Sequence, residues 1–382
     1  MRTKLRLEGI ETNRITVVII AILTVSSAVA VGLVTNSDSP SAVEVVEKRD
    51  VNVLILGDGA SADSLYEEFD FFAKSVSRAE SIQDLESEIG SGSVRCVVIP
   101  DTWVSENSDY APILVHELYD KGQIVMVHGG MLEWEKAGLT CAYSEEDVFT
   151  AVMRSDGVER TYGVVCESLH DAVDRATAWA SGSIPEYMQN EHDFGSEIDA
   201  YLDFESSGYG WTTARTEYYK EADVSESYDY YTGDYIVHMD PNAGSYCSGL
   251  DVASETSGGY LMKYGPSTTP INYVYTVSVS ATISETPGIT VGNSWQYTVY
   301  DTSYDDQTSI IDNKLDIRTN INEASPTGAG TCGIEPGKLV KINDGSTYYG
   351  HDTYKAQFCH HYFFGFGAYN DTASGRNVII IP

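Results

Sequence analysis

A change of hydrophobic period about halfway along the chain constrains its fold more than any other feature. From residue 50 to about residue 183, continuous apolar runs alternate with stretches of helical spacing. VNVLILGDG (51–59), VRCVVIPD (94–101), QIVMVHGG (123–130) and YGVVCES (162–168) read as strands, and residues 64–76, 82–89, 111–120 and 169–180 as helices. A strand covered on both faces has no polar side, so its run is continuous rather than alternating. This pattern predicts an α/β flavodoxin-like parallel-sheet domain over residues 50–183. An acidic connector follows at residues 184–206. Beyond it YVYTVSVSATIS (273–284) and SWQYTVYDT (294–302) alternate with period two, and turns such as Asn343-Asp344-Gly345 separate short runs. That predicts an all-β antiparallel sandwich, rich in Tyr and Thr, over residues 207–382, with NVIIIP as its last strand. Two separate cores are expected.

Residues 15–34, ITVVIIAILTVSSAVAVGLV, carry no charge. A helix of that length spans a hydrocarbon core of about 30 Å. Arg2, Lys4, Arg6 and Arg14 precede it, against Glu8 and Glu11. The bias predicts a cytoplasmic basic segment (1–14), a transmembrane helix (15–35), a linker (36–49) and an extracellular bulk. The competing reading is a cleaved signal sequence ending at Ala28-Val29-Ala30, which would leave the protein secreted. Both export the chain. With 57 acidic and 23 basic side chains, a net charge of −34 repels nucleic acids and anionic headgroups. Six cysteines fall three to each half, with no C-x-x-C spacing for a zinc ribbon or redox pair.

Several residues could carry chemistry. Gly57-Asp58-Gly59 ends the first strand, where doubly wound sheets bind phosphate, but the third glycine and the lysine of the known fingerprints are missing. No cofactor is expected. Asp101 and His128, at the ends of the next strands, are the acid/base candidates if the chain is an enzyme. His360 and His361 are adjacent and would point to opposite strand faces, so they do not make a metal pair. Asp301, Asp305 and Asp306 in DTSYDDQ are calcium candidates without an EF-hand pattern. Of 27 tyrosines, Tyr228, Tyr230, Tyr231 and Tyr235 crowd one run. They suit a glycan or surface-protein ligand, and equally a half-buried strand.

LILGDG, CVVIPD and VHGG together resemble the glutamine-amidotransferase-like group of flavodoxin-like domains. Catalytic members carry a cysteine on a strand-to-helix elbow. Here His128 stands there, while Cys96 lies within a strand and Cys141 has no elbow glycine after it. The resemblance therefore implies a non-catalytic relative. The runs YYKEADVSESYDYY and GPSTTPINYVYTVSVSATIS resemble the sandwich strands of leukocidin-type β-pore-forming toxins, which implies a detachable hairpin within residues 273–300. Three functions follow as expectations. The first is a membrane-anchored cell-surface protein with a binding or structural role. The second is a surface hydrolase or transferase using Asp101 and His128, and the third a pore former. Convergence of Asp58, Asp101 and His128 on one concave site would favour the enzyme.

Overall fold

The computed structural model describes residues 47–382 except 130–131, 144–147, 156, 184–187, 189–196, 222–224, 268–269, 271–272, 323–327 and 362–367. The expected membrane segment at 15–35 lies outside the described residues. Among those described, no helix is long and apolar enough to cross a membrane.

Up to residue 128 the chain is doubly wound. It runs through β1 (Arg49–Leu56), α1 (Ala60–Phe72), β2 (Ala73–Ala79), α2 (Ile82–Gly90), β3 (Cys96–Ile99), α3 (Asp101–Glu106), α4 (Ala111–Asp120) and β4 (Ile124–His128). The four strands lie parallel in the order β2-β1-β3-β4. Leu65, Phe69 and Phe72 of α1 pack against one face. Leu114, Val115 and Leu118 of α4 cover the other. The helix expected through residue 76 stops at Phe72, because the following residues take up the free edge of β1 as β2.

The sheet does not end at β4. β5 (Cys141–Tyr143), β6 (Phe149–Ser155), β7 (Val158–Val165), α5 (Leu169–Ala180) and β8 (Ile198–Ser206) come next. β6 lies antiparallel beside β4, β7 antiparallel beside β6, and β8 parallel beside β7. The chain then forms β9 (Gly210–Lys220), β10 (Tyr228–Pro241), β11 (Ser245–Ser257), β12 (Gly259–Gly265), β13 (Val274–Ser278), β14 (Ala281–Thr282), β15 (Thr290–Val291) and β16 (Ser294–Thr298). β17 (Thr302–Asp306), β18 (Lys314–Ile321), β19 (Cys332–Ile334), β20 (Gly337–Asn343), β21 (Tyr348–His361) and β22 (Ala368–Ile381) complete it. One mixed sheet of 12 strands results, ordered β12-β20-β10-β9-β8-β7-β6-β4-β3-β1-β2 with β19 beside β10.

This overturns the expected pairing of a parallel-sheet domain with a separate sandwich. Strand outweighs helix, 54% against 19%, and a single sheet runs through both halves. Lys48–Pro382 form one compact unit. The misleading stretch is β8, all of which falls within the acidic connector expected at residues 184–206. Its acids alternate with Ile198, Ala200, Leu202 and Phe204, which all face one core. The acids on the other face are buried because arginines meet them. Arg215 forks onto Asp199 at 2.8 and 3.0 Å, and Arg175 reaches Asp203 at 3.1 Å.

A second, six-stranded sheet ordered β17-β18-β11-β21-β22-β5 packs on the β8, β9, β10 and β20 region. It too joins the halves, since β5 from the α/β part pairs with β22 through Cys141, Ala142 and Tyr143. Two glycines permit this close stacking. A Cβ on Gly375 of β22 would lie 2.7 Å from Leu202 and Phe204, and one on Gly163 of β7 would lie 2.5 Å from the Tyr143 ring. The short ribbon of β13 and β16 is docked rather than detached, with Tyr275, Val277, Trp295 and Tyr297 buried in the same core.

β22 lies between β21 and β5 and packs onto β8, so its loss is felt on both sides of the expected boundary. Ile379→Ala should cost about 2–5 kcal/mol. Removing residues 377–382 should abolish cooperative melting of the whole protein and leave no protease-resistant fragment. Recovery of a folded 48–183 fragment from the truncated chain would show that the halves are independent.

Candidate functional site

The first place to look is the C-terminal end of the parallel strands. Gly57 leaves β1 at φ +97°, with the Trp103 indole 3.3 Å from where a Cβ would stand. The turn delivers Ser61 to Asp101, the first residue of α3. Ser61 donates its hydroxyl hydrogen bond to Asp101 Oδ1 at 2.9 Å, and the Thr102 N–H donates to the same oxygen at 2.7 Å. His128, ending β4, brings Nδ1 to 3.7 Å from Asp101 Oδ1, too long for a hydrogen bond. Its ring lies 5.1 Å from that of Phe149. Burial holds the imidazole below its ordinary value of 6.5, with Asp101 pulling the other way.

Asp101 and His128 therefore meet, and Ser61 joins them. Asp58 does not; it is exposed and has no polar partner among the described residues. The order of contacts also matters. Ser61 donates to the carboxylate and not to the imidazole, so no base activates its hydroxyl as a nucleophile triad requires. Gly130, next to this site, lies outside the described residues.

The cysteines offer no nucleophile either. All six are free, and all but the half-buried Cys166 are buried. Burial pushes the thiols of Cys96 and Cys247 up, and those of Cys141 and Cys332 up to about 12. Cys166 rises to about 11 for the same reason.

The tyrosine cluster is placed differently from a ligand platform. Tyr230, Tyr231 and Tyr235 are buried, and Tyr228 is half-buried with the Lys341 ammonium 3.5 Å above its ring. Three of the four thus present no ring to a ligand. The calcium candidates are not brought together. Asp305 and Asp306 are successive residues of β17 and point to opposite faces. Asp305 accepts from Gln307, and Asp306 from Tyr264 and the Thr308 N–H. No cluster able to hold a metal occurs among the described residues.

A site that the sequence reading missed lies on the open face of the second sheet. There β18, β11, β21 and β22 enclose a groove of about 610 Å³. Register sets its pattern. Arg318, Asp251 and Lys355 stand in one cross-strand row, then Asp316, Ala253, Thr353 and Arg376, then Lys314, Glu255 and His351. The small Ala253 and Thr353 form the floor, with charges at either end. Burial pushes the Asp316 carboxyl up, but hydrogen bonds from Arg318 and Lys314 outweigh it and hold it below its ordinary value. Lys355 and Arg376 are both exposed and lie in no salt bridge among the described residues, although Lys355 acts electrostatically on Asp251 across the strands. The signal was present in DVASE, KLDIR and HDTYK, where ionisable residues recur at even spacing and so share one strand face.

No known protein family and no curated protein sequence matches this chain. Its function is therefore argued from sites rather than from kinship.

Because burial disfavours the imidazolium, His128 should titrate below 6.5, and Asp101→Asn should lower it further. The sign follows from linkage. With its folded value depressed, this histidine destabilises the folded state as pH falls through 6.5. Proton NMR across pH 4–8 on the native protein and the variant checks both. An unchanged or raised midpoint in Asp101→Asn would contradict the contact.

Proposed function

We propose that this is a cell-surface binding protein, exported by the apolar segment at residues 15–34, whose ligand is an acidic glycan held on the open face of the second sheet. The observation that carries this reading is the pair of exposed cations outside any salt bridge, Lys355 and Arg376, in a polar groove of a chain with net charge −34. On so acidic a molecule, an exposed cation outside any salt bridge is available for a ligand's carboxylate. Charge-assisted hydrogen bonds are the strong ones, and arginine's fork matches a carboxylate with two parallel bonds. Asp251 and Glu255, lining the same groove, accept from sugar hydroxyls. The volume suits an oligosaccharide of a few rings.

A second reading rests on the Asp101–His128 contact. A half-buried imidazole kept neutral beside a carboxylate is a general base. It would serve a hydrolase or transferase whose nucleophile is water rather than a side chain.

The test uses the full-length protein in detergent, with polygalacturonate and its fully methyl-esterified form as probes. The uronate polymer should bind and the neutral ester should not. Binding should weaken with salt, because the attraction is electrostatic. The double variant Lys355→Ala, Arg376→Ala should weaken it by about 10–100-fold at unchanged melting temperature, as expected for one or two lost charge-assisted bonds. Equal binding of both polymers, or binding indifferent to the double variant, would overturn the assignment. Turnover of either polymer that is abolished in His128→Ala would favour the second reading.

A further inference from the structure

Between the two sheets, in the largest core, sits a lysine with no exposure to water. Lys338 of β20 points inward with its ammonium 4.0 Å from the Asp352 carboxylate of β21, and both side chains are fully buried. Room for the lysine stem comes from Gly233 on the neighbouring strand, where a Cβ would stand 3.5 Å from Lys338 Cγ and 3.2 Å from the Tyr218 ring. The ammonium lies 5.5 Å from the centres of the Tyr218 and Tyr235 rings and 5.7 Å from that of Tyr348. Ser254 of β11 stands between the charges. It accepts from Lys338 Nζ at 2.5 Å and donates to Asp352 Oδ1 at 2.5 Å. Tyr235 donates to the same oxygen at 3.2 Å, whereas Asp352 Oδ2 has no hydrogen-bond partner.

As an ion pair this arrangement is poorly compensated. A buried lysine has three N–H donors to satisfy, and here one hydroxyl accepts. A buried carboxylate needs partners on both oxygens, and here one is orphaned. A neutral amide in the same place would carry no charge to desolvate. Burial pushes the Asp352 carboxyl up, with Lys338 and the hydrogen bonds from Ser254 and Tyr235 pulling the other way.

We propose that Lys338 and Asp352 condense into an intramolecular isopeptide bond that staples the large sheet to the second sheet. The step balances without any added reagent. Ser254 passes a proton from Lys338 Nζ to Asp352 Oδ1, which leaves a free amine and a neutral acid. The nitrogen lone pair attacks Asp352 Cγ, the C=O electron pair moves onto Oδ2, and Tyr235 and Ser254 stay hydrogen-bonded to Oδ1, the oxygen that will leave. A second proton moves from the nitrogen through Ser254 to Oδ1. The Cγ–Oδ1 bond then breaks, water leaves, and Oδ2 remains as the amide carbonyl oxygen. Holding both groups in contact replaces a bimolecular encounter, and well-oriented intramolecular reactions reach effective molarities of about 10⁵–10⁸ M. Excluding water from the core also protects the product from hydrolysis. The bond needs the folded protein, because residues 338 and 352 belong to different sheets that meet only in the packed core.

The test is peptide mapping by mass spectrometry on the full chain, denatured after purification. The map should contain one branched species joining the peptides of Lys338 and Asp352, lighter than their sum by one water. Lys338→Met and Asp352→Ala should each abolish it. Ser254→Ala keeps both reacting groups and removes the relay, so the linked fraction should fall and grow slowly on incubation. Because the wild-type reading is made on denatured protein, it stands even if a variant fails to fold. Separate, unmodified Lys338 and Asp352 peptides in full yield from the wild type would overturn the proposal. A Ser254→Ala protein linked as fully and as fast as the wild type would overturn the relay.

Discussion

Arg215, near the middle of β9, forks onto Asp199 of the neighbouring β8 while donating to Glu217 at 2.9 Å and to the Met188 carbonyl at 2.8 Å. Both Asp199 and Arg215 are nearly inaccessible to water. β8 depends on that pairing. Its other face carries Ala200, Leu202 and Phe204 into the core between the sheets, while Tyr201 joins the core under α1 and α5. A strand that serves two cores at once has no solvent side on which to hide an acid. Leaving one partner of a buried pair uncompensated costs about 3–5 kcal/mol, a large share of an ordinary domain's stability. β8 is also the strand through which the doubly wound part, by way of β7, continues into the antiparallel part.

The two layers divide the labour that follows. The large sheet is covered by helices at one end and by the second sheet at the other. The second sheet presents its outer face, where charges alternate in cross-strand rows around a floor of small residues. Opposite-sign neighbours neutralise one another in most of these rows. Lys355 and Arg376 stand exposed on this face outside any salt bridge among the described residues, and the proposed anionic ligand would meet them there. The Ser61, Asp101 and His128 contact lies in the doubly wound part, away from the groove on the outer face of the second sheet, so substitutions at the two places test the two proposed readings separately.

Legibility in the sequence followed burial on both faces. VNVLILGDG, CVVIPD and QIVMVHGG are recognisable as strands because their apolar side chains are buried on both faces of the sheet. β8 was not, since IDAYLDFES places an acid at every fourth or second position and resembles a solvated connector. Only the arginines at 160, 175 and 215, remote in sequence, make those acids core residues. β2 was hidden because AKSVSRA continues a helical spacing, and a strand's edge position is a tertiary fact. The tyrosine run misled for a related reason. Tyr235 looked like contact area, yet its hydroxyl is used inside the core on Asp352. Asp101 and His128 were legible as strand-end residues, although that they meet could not be read from their spacing.

The central claim is that residues 48–382 fold as one unit through the junction of β7 and β8. Native-state hydrogen exchange under weakly denaturing conditions tests it most directly. Amides of β1, β3 and β4 should share a single opening free energy with those of β8, β9 and β10, and all should merge at the global value. Exchange of β9 and β10 at a lower free energy, with β1, β3 and β4 still protected, would contradict the account. It would mean that two cores merely touch along a shared edge.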